Sequence, residues 1–134
     1  MNQTLFNQRL KMVSEKHEAL INQKNEINPE WTSGLFDRYR FPVLTAAHTP
    51  LFWRYDFNPQ TNPFFIERLG VNGVFNPGAM EFNGKIVLMC RVEGYDRKSF
   101  FAVAESDNGI NHFRFWETPV VMPETEDPDT NVYD

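Results

Sequence analysis

The chain has 134 residues, 41% hydrophobic and 15% aromatic, with thirteen phenylalanines. A chain this apolar collapses around a core, which excludes the disordered class, and its length suits one modest domain. The formal net charge is −5 and no basic run occurs, which argues against a nucleic-acid partner, because phosphate neutralisation needs clustered Lys and Arg.

The lone cysteine, Cys90, lies inside an apolar run, so it is expected to be buried and inert, and no disulfide can form within the chain. The first residues, Met1-Asn2-Gln3-Thr4, lack the basic-then-apolar pattern of a secretion signal. No apolar run approaches membrane-spanning length. The expectation is a soluble, cytoplasmic protein with no membrane partner.

Taken in order, residues 4–24 read as a helix. Phe6, Leu10, Val13, His17 and Leu20 recur at intervals of four, three, four and three, which places them on one face. The helix is expected to end near Asn25, ahead of Pro29. His17 reads as a packing residue at the edge of the stripe, since nothing nearby completes a metal site. A terminal helix with such a stripe also suits a contact between copies of the chain, so a homo-oligomer is expected.

Residues 26–75 read as a long, irregular, aromatic-rich loop interrupted by Pro29, Pro42, Pro50, Pro59 and Pro63. Phe41-Pro42-Val43-Leu44 is a candidate short strand. From Leu51 to Asn58 nearly every other residue is aromatic. Such a loop either packs over a core or lines a binding site, where rings could stack on the C–H faces of sugars.

From Val74 the pattern turns to regular β. Gly78–Phe82, Lys85–Val92, Ser99–Glu105 and His112–Glu117 read as four antiparallel strands. Asn83-Gly84 is a strong two-residue hairpin signal between the first two, and Ser106-Asp107-Asn108-Gly109 marks the last turn. The unbroken apolar run Lys85–Cys90 suggests a strand buried on both faces. Four such strands form one blade of a β-propeller; half of a β-sandwich is the alternative. A single blade cannot bury its own faces. Asn131-Val132-Tyr133-Asp134 reads as the opening of another strand, so the chain is expected to be a piece of a longer one.

The most polar stretch is Arg91–Ser99, where nine residues carry three cations and two carboxylates. It is either a solvated hairpin tip or a site into which Arg91 and Arg97 aim. A guanidinium at the end of a core strand is costly unless an anion or acceptors meet it. In the propeller reading Asn76 and Asp134 begin adjacent inner strands and share one cavity with this tip. An acid, an amide and two cations there suit a polyhydroxylated or anionic ligand, whereas Asp134 taken alone is an ordinary strand-start carboxylate.

Several segments resemble glycoside hydrolase family 130: Arg38–Pro50, Asn76-Pro77-Gly78-Ala79, Arg91-Val92-Glu93-Gly94, Asp96–Ser106 and Asn131-Val132-Tyr133-Asp134. The resemblance implies an all-β, five-bladed β-propeller, of which this chain would hold an N-terminal helix (1–25), the irregular loop (26–75), the first four-stranded blade and the start of the second (76–134). It implies inverting phosphorolysis of a β-mannoside in mannan breakdown, with a mannosyl-glucose disaccharide and inorganic phosphate as substrates and no metal or other cofactor. Asp134 matches the family's catalytic acid. Asn76 matches a sugar-contacting position, Arg91 and Arg97 match substrate-binding positions near the mannosyl site and the catalytic acid, and the main phosphate-binding residues fall beyond Asp134. A related mannooligosaccharide phosphorylase, a β-mannosidase, and a non-catalytic sugar-binding or scaffold piece are the alternatives.

Overall fold

The computed structural model describes residues 2–31 and 33–129. A helix, α1 (Asn2–Ile21), is followed by 3₁₀ turns at Pro29–Trp31 and Ala46–His48 and a single helical turn, α2 (Leu51–Arg54). Then comes an antiparallel meander of β1 (Val71–Phe82), β2 (Lys85–Gly94), β3 (Ser99–Ser106) and β4 (Arg114–Phe115), in spatial order β1-β2-β3-β4. The described residues thus form a four-stranded antiparallel sheet with one long helix.

The Asn83-Gly84 hairpin forms as its sequence requires, with φ of 51° and 76°, the paired positive values of a tight β-turn. β1 begins earlier than expected, at Val71, because two irregularities hide its alternation. Pairing slips between Val71 and Gly73 and again between Phe75 and Gly78. The second slip accommodates Pro77, which a strand tolerates only at an edge or a bulge.

Leu88, Cys90 and Val92 of β2 share one face with Ala102 and Ala104 of β3, and Phe113 and Phe115 close this buried cluster. The aromatic loop covers the cluster. Trp53 meets Phe100 and Phe115 with ring centroids 5.6 and 5.7 Å apart, and its Nε1–H donates to the Glu117 carbonyl at 2.8 Å. Cys90 is fully enclosed, and burial pushes its thiol up to about 11, as an inert thiol requires.

Burial of β2 on both faces does not hold. On the opposite face Val87 and Val103 are buried, but Met89, Phe101 and Met80 are 43%, 44% and 58% exposed. β2 therefore alternates from Leu88 onward.

Three other expectations change. α1 ends at Ile21, short of Asn25, because Asn25 is captured elsewhere: its N–H donates to Asn111 Oδ1 at 2.6 Å and its side chain bonds both backbone groups of Phe41. Phe41–Leu44 forms no strand, and the start of the aromatic run 51–58 is a helical turn. β4 is only two residues long, since His112 adopts φ 57° just before it; the edge continues as single bonds from Trp116 N to Val103 O and from Val120 N to Phe101 O.

α1 docks on the loop within its own chain. Phe6 is buried edge-on against Phe65 at 5.2 Å, and Phe65 stacks on Tyr55 at 4.7 Å. Arg9 Nη1 donates to the Phe64 carbonyl at 2.7 Å. His17 Nδ1 donates to the Ala47 carbonyl at 3.1 Å, and His48 Nδ1 accepts the Thr45 amide at 2.9 Å. Among the described residues no helix is long and apolar enough to cross a membrane.

Burial holds both imidazoles below the ordinary value of 6.5, the Ala47 carbonyl partly opposing this at His17. A depressed folded value means that the unfolded chain takes up protons first as pH falls. The stabilisation is therefore full above 6.5 and is lost below it. Melting temperature should drop between about pH 7 and pH 5.5, and the drop should shrink in the double variant His17→Asn, His48→Gln. An unchanged drop in that variant would assign it to other groups.

Candidate functional site

The second irregularity of β1 and the facing stretch of β2 bring polar groups to the open face of the sheet. Asn76 sits at the slip, exposed, with φ 46°. Left-handed backbone is uncommon for residues with a Cβ, and asparagine is among the few that enter it readily. Its chain neighbour Phe75 pairs with Arg91 of β2, which in turn pairs with Phe101 of β3.

Arg91 therefore stands on the exposed face, between aromatic neighbours. Its guanidinium lies 5.1 Å from the Phe75 ring centroid, and its Nη2 is 3.9 Å from Glu93 Oε2. Glu93 Oε1 accepts a hydrogen bond from Asn72 Nδ2 at 3.0 Å. The two irregularities of β1 are joined in this way: Asn72 at the first holds Glu93, Glu93 faces Arg91, and Arg91 lies over Phe75 beside the second. The cost anticipated for a guanidinium in the core does not arise, because the side chain is 44% exposed.

Arg97 lies at the tip that joins β2 to β3. Its N–H donates to Gly94 O at 3.0 Å and its φ is 65°. Asp96 Oδ1 accepts the Lys98 amide at 3.0 Å, and Tyr95 N donates to Gly70 O at 3.1 Å, which ties the tip to the start of β1. The structure thus sets Asn76 and Arg91 on adjacent strands, with Arg97 at the turn three residues beyond the end of β2. Asp134 lies outside the described residues.

Glu93 and Asn72 were not singled out from the sequence. Glu93 was legible, since residues two apart on a strand share a face. Asn72 was not, because its approach to Glu93 depends on a slip in register. The cluster offers donors and one paired carboxylate around exposed aromatic surface, which is suited to hydroxyl-rich ligands. Among the described residues no group of three or more His, Cys, Asp or Glu could hold a metal.

Comparison with known proteins finds a similarity along nearly the whole chain. The chain is 58% identical over 131 residues to the 4-O-β-D-mannosyl-D-glucose phosphorylase of Bacteroides fragilis. The aligned region is 98% of this chain, which spans about a third, 33%, of that protein's length. No family model matches the chain. The similarity to that one protein therefore runs along nearly the whole of this chain.

The backbone at position 76 separates shape from chemistry. Asn76→Gly should keep or raise thermal stability, whereas Asn76→Ala should fall below the glycine variant by roughly 1 kcal/mol, the cost of a Cβ in left-handed backbone. Denaturant unfolding of the two variants checks this, and equal stabilities would contradict the strain.

Proposed function

We propose that this chain is part of an enzyme that carries out inverting phosphorolysis of a β-mannoside, converting 4-O-β-D-mannosyl-D-glucose and phosphate to α-D-mannose 1-phosphate and D-glucose. The observation that carries the reading is the 58% identity across 98% of the chain. The sheet supports it further, because its bare apolar face suits packing against another sheet of a five-bladed propeller. Homo-oligomerisation and a cytoplasmic location belong to the same proposal.

In this reading Asp134 is the general acid. It protonates the glycosidic oxygen, with a sugar hydroxyl relaying the proton, while phosphate attacks the anomeric carbon from the opposite face. An inverting hydrolase needs a second carboxylate to activate water. Phosphate is already an anionic nucleophile, so one carboxylic acid suffices, provided its surroundings keep it protonated in the resting complex. Asn76, Arg91 and Arg97 hold sugar hydroxyls. Glu93 and Asn72 fix where the Arg91 guanidinium stands.

Phosphate-dependent release of glucose from mannosyl-glucose tests the proposal in the protein expressed from its complete reading frame. Asp134→Asn should lower kcat by about 10²–10⁴-fold with little change in thermal stability. Arg91→Ala should act mainly on KM. By itself the 134-residue chain is expected to be silent, because the resemblance puts the phosphate-binding residues outside it. Undiminished turnover in Asp134→Asn would overturn the assignment of the acid.

A further inference from the structure

A cavity of about 420 Å³ lies between α1, α2 and β4, and none of its lining residues belongs to the cluster around Arg91. Its volume falls in the range of small-molecule sites, which are mostly apolar with a few placed polar groups. Phe52, Phe57 and Phe115 supply flat apolar surface. Ser14, His17, Glu18, Arg114 and Glu117 supply the polar groups.

The hydrogen-bonding state of the two histidines points to a ligand. His48 is only 8% exposed. Its Nδ1 accepts the Thr45 amide at 2.9 Å, so in the neutral ring the proton sits on Nε2. That Nε2–H has no acceptor among the described residues. The one side-chain polar atom that is both sealed and unpartnered among them is Nε of Arg54, so His48 Nε2 opens onto space, and this cavity is among the spaces the residue lines.

His17 is arranged the other way round. Its Nδ1 donates to the Ala47 carbonyl at 3.1 Å, which leaves Nε2 as an acceptor. One imidazole therefore offers a donor and the other an acceptor. Burial lowers both pKa values, which favours the neutral form of each ring. Arg114 Nη2 is held by Glu18 Oε2 at 3.4 Å, and Glu117 lines the same space. One guanidinium against two carboxylates gives an anion no advantage.

Neutral donors and acceptors beside aromatic faces match a ring that carries hydroxyls on its edge and C–H groups on its faces. We propose that this cavity binds a neutral saccharide, a hexose or a disaccharide unit, at a site separate from the Arg91 cluster. The proposal does not depend on the phosphorylase reading, since it rests only on the groups around the cavity.

The test is a titration of the protein expressed from its complete reading frame with D-mannose, D-glucose and mannosyl-glucose in phosphate-free buffer. Tryptophan fluorescence and calorimetry follow binding. Trp53 is the reporter, because its Nε1–H is bonded to the backbone of Glu117 on the cavity wall. In Arg91→Ala, which disables the other cluster, saturable binding should persist and Trp53→Phe should remove its fluorescence signal. In the same background Phe52→Ala, His17→Ala and Ser14→Trp should each raise Kd by about tenfold or more. Ser14→Trp obstructs the cavity without deleting packing, and thermal unfolding confirms that each variant is folded. Absence of saturable binding in Arg91→Ala would overturn the proposal, as would binding indifferent to all three cavity variants. A silent titration together with a mass by light scattering that falls in Phe52→Ala would give the cavity to a second copy of the chain, and would equally overturn it.

Discussion

The alternation of β2 is the constraint on which the other features depend. Leu88, Cys90 and Val92 point to the buried face, while Met89, Arg91 and Glu93 take the other. A slip of one residue would exchange the two sets, placing a guanidinium and a carboxylate in the core and the apolar chains in water. The Asn83-Gly84 turn pins one end of this register, because Phe82 pairs with Lys85 directly across it. The tip pins the other end through Tyr95 N to Gly70 O. Core and candidate site are therefore two faces of one choice of register.

The covered face is finished by a segment with little regular structure. Its order comes from side chains instead: Asn62, 2% exposed, bonds the carbonyls of Asp56 and Ile66 and the Ile66 amide. Buried amides of this kind substitute for a sheet ladder by satisfying backbone groups that water cannot reach. Phe65, held at φ 47° by that framework, receives both Phe6 of α1 and Tyr55. The helix is thus packed through a residue whose backbone conformation is itself costly.

Apolar runs and turn chemistry made the sheet legible, although the run in β2 was read as buried on both faces and in fact alternates from Leu88 onward. β2, β3 and the Asn83-Gly84 hairpin follow from residue type and spacing alone. β1 was visible only in its second half, since Asn72 and the Asn76-Pro77 pair each add an unpaired residue and break the count. The run from Leu51 mixed two periods, and the helical turn prevailed because Trp53 and Arg54 each find a partner in the tertiary packing. In the candidate site Arg91, Arg97 and Asn76 were reached from the sequence. The link from Asn72 through Glu93 to Arg91 was not, since it exists only once the irregular register is known. The Thr45 and His48 pairing had a readable trace in its three-residue spacing, a helix-start pattern with histidine in the place of glutamate.

The open face gives the Arg91 cluster a meaning that its present geometry understates. At 3.9 Å, with Arg91 44% exposed, the pair of Arg91 with Glu93 contributes little, on the order of 0–1 kcal/mol, because water screens the guanidinium. The same face carries Phe75, Met80, Phe82, Met89 and Phe101, all more than a third exposed, an apolar patch of the kind that marks a contact surface. Covering it with apolar atoms would remove that screening. An isolated guanidinium would then become prohibitive to bury, whereas one already matched by a carboxylate and an aromatic ring would not. The pairing of Arg91 with Glu93 and Phe75, weak in solvent, is what would let the cation keep its place beside this apolar surface if a contact covered the rest of the face.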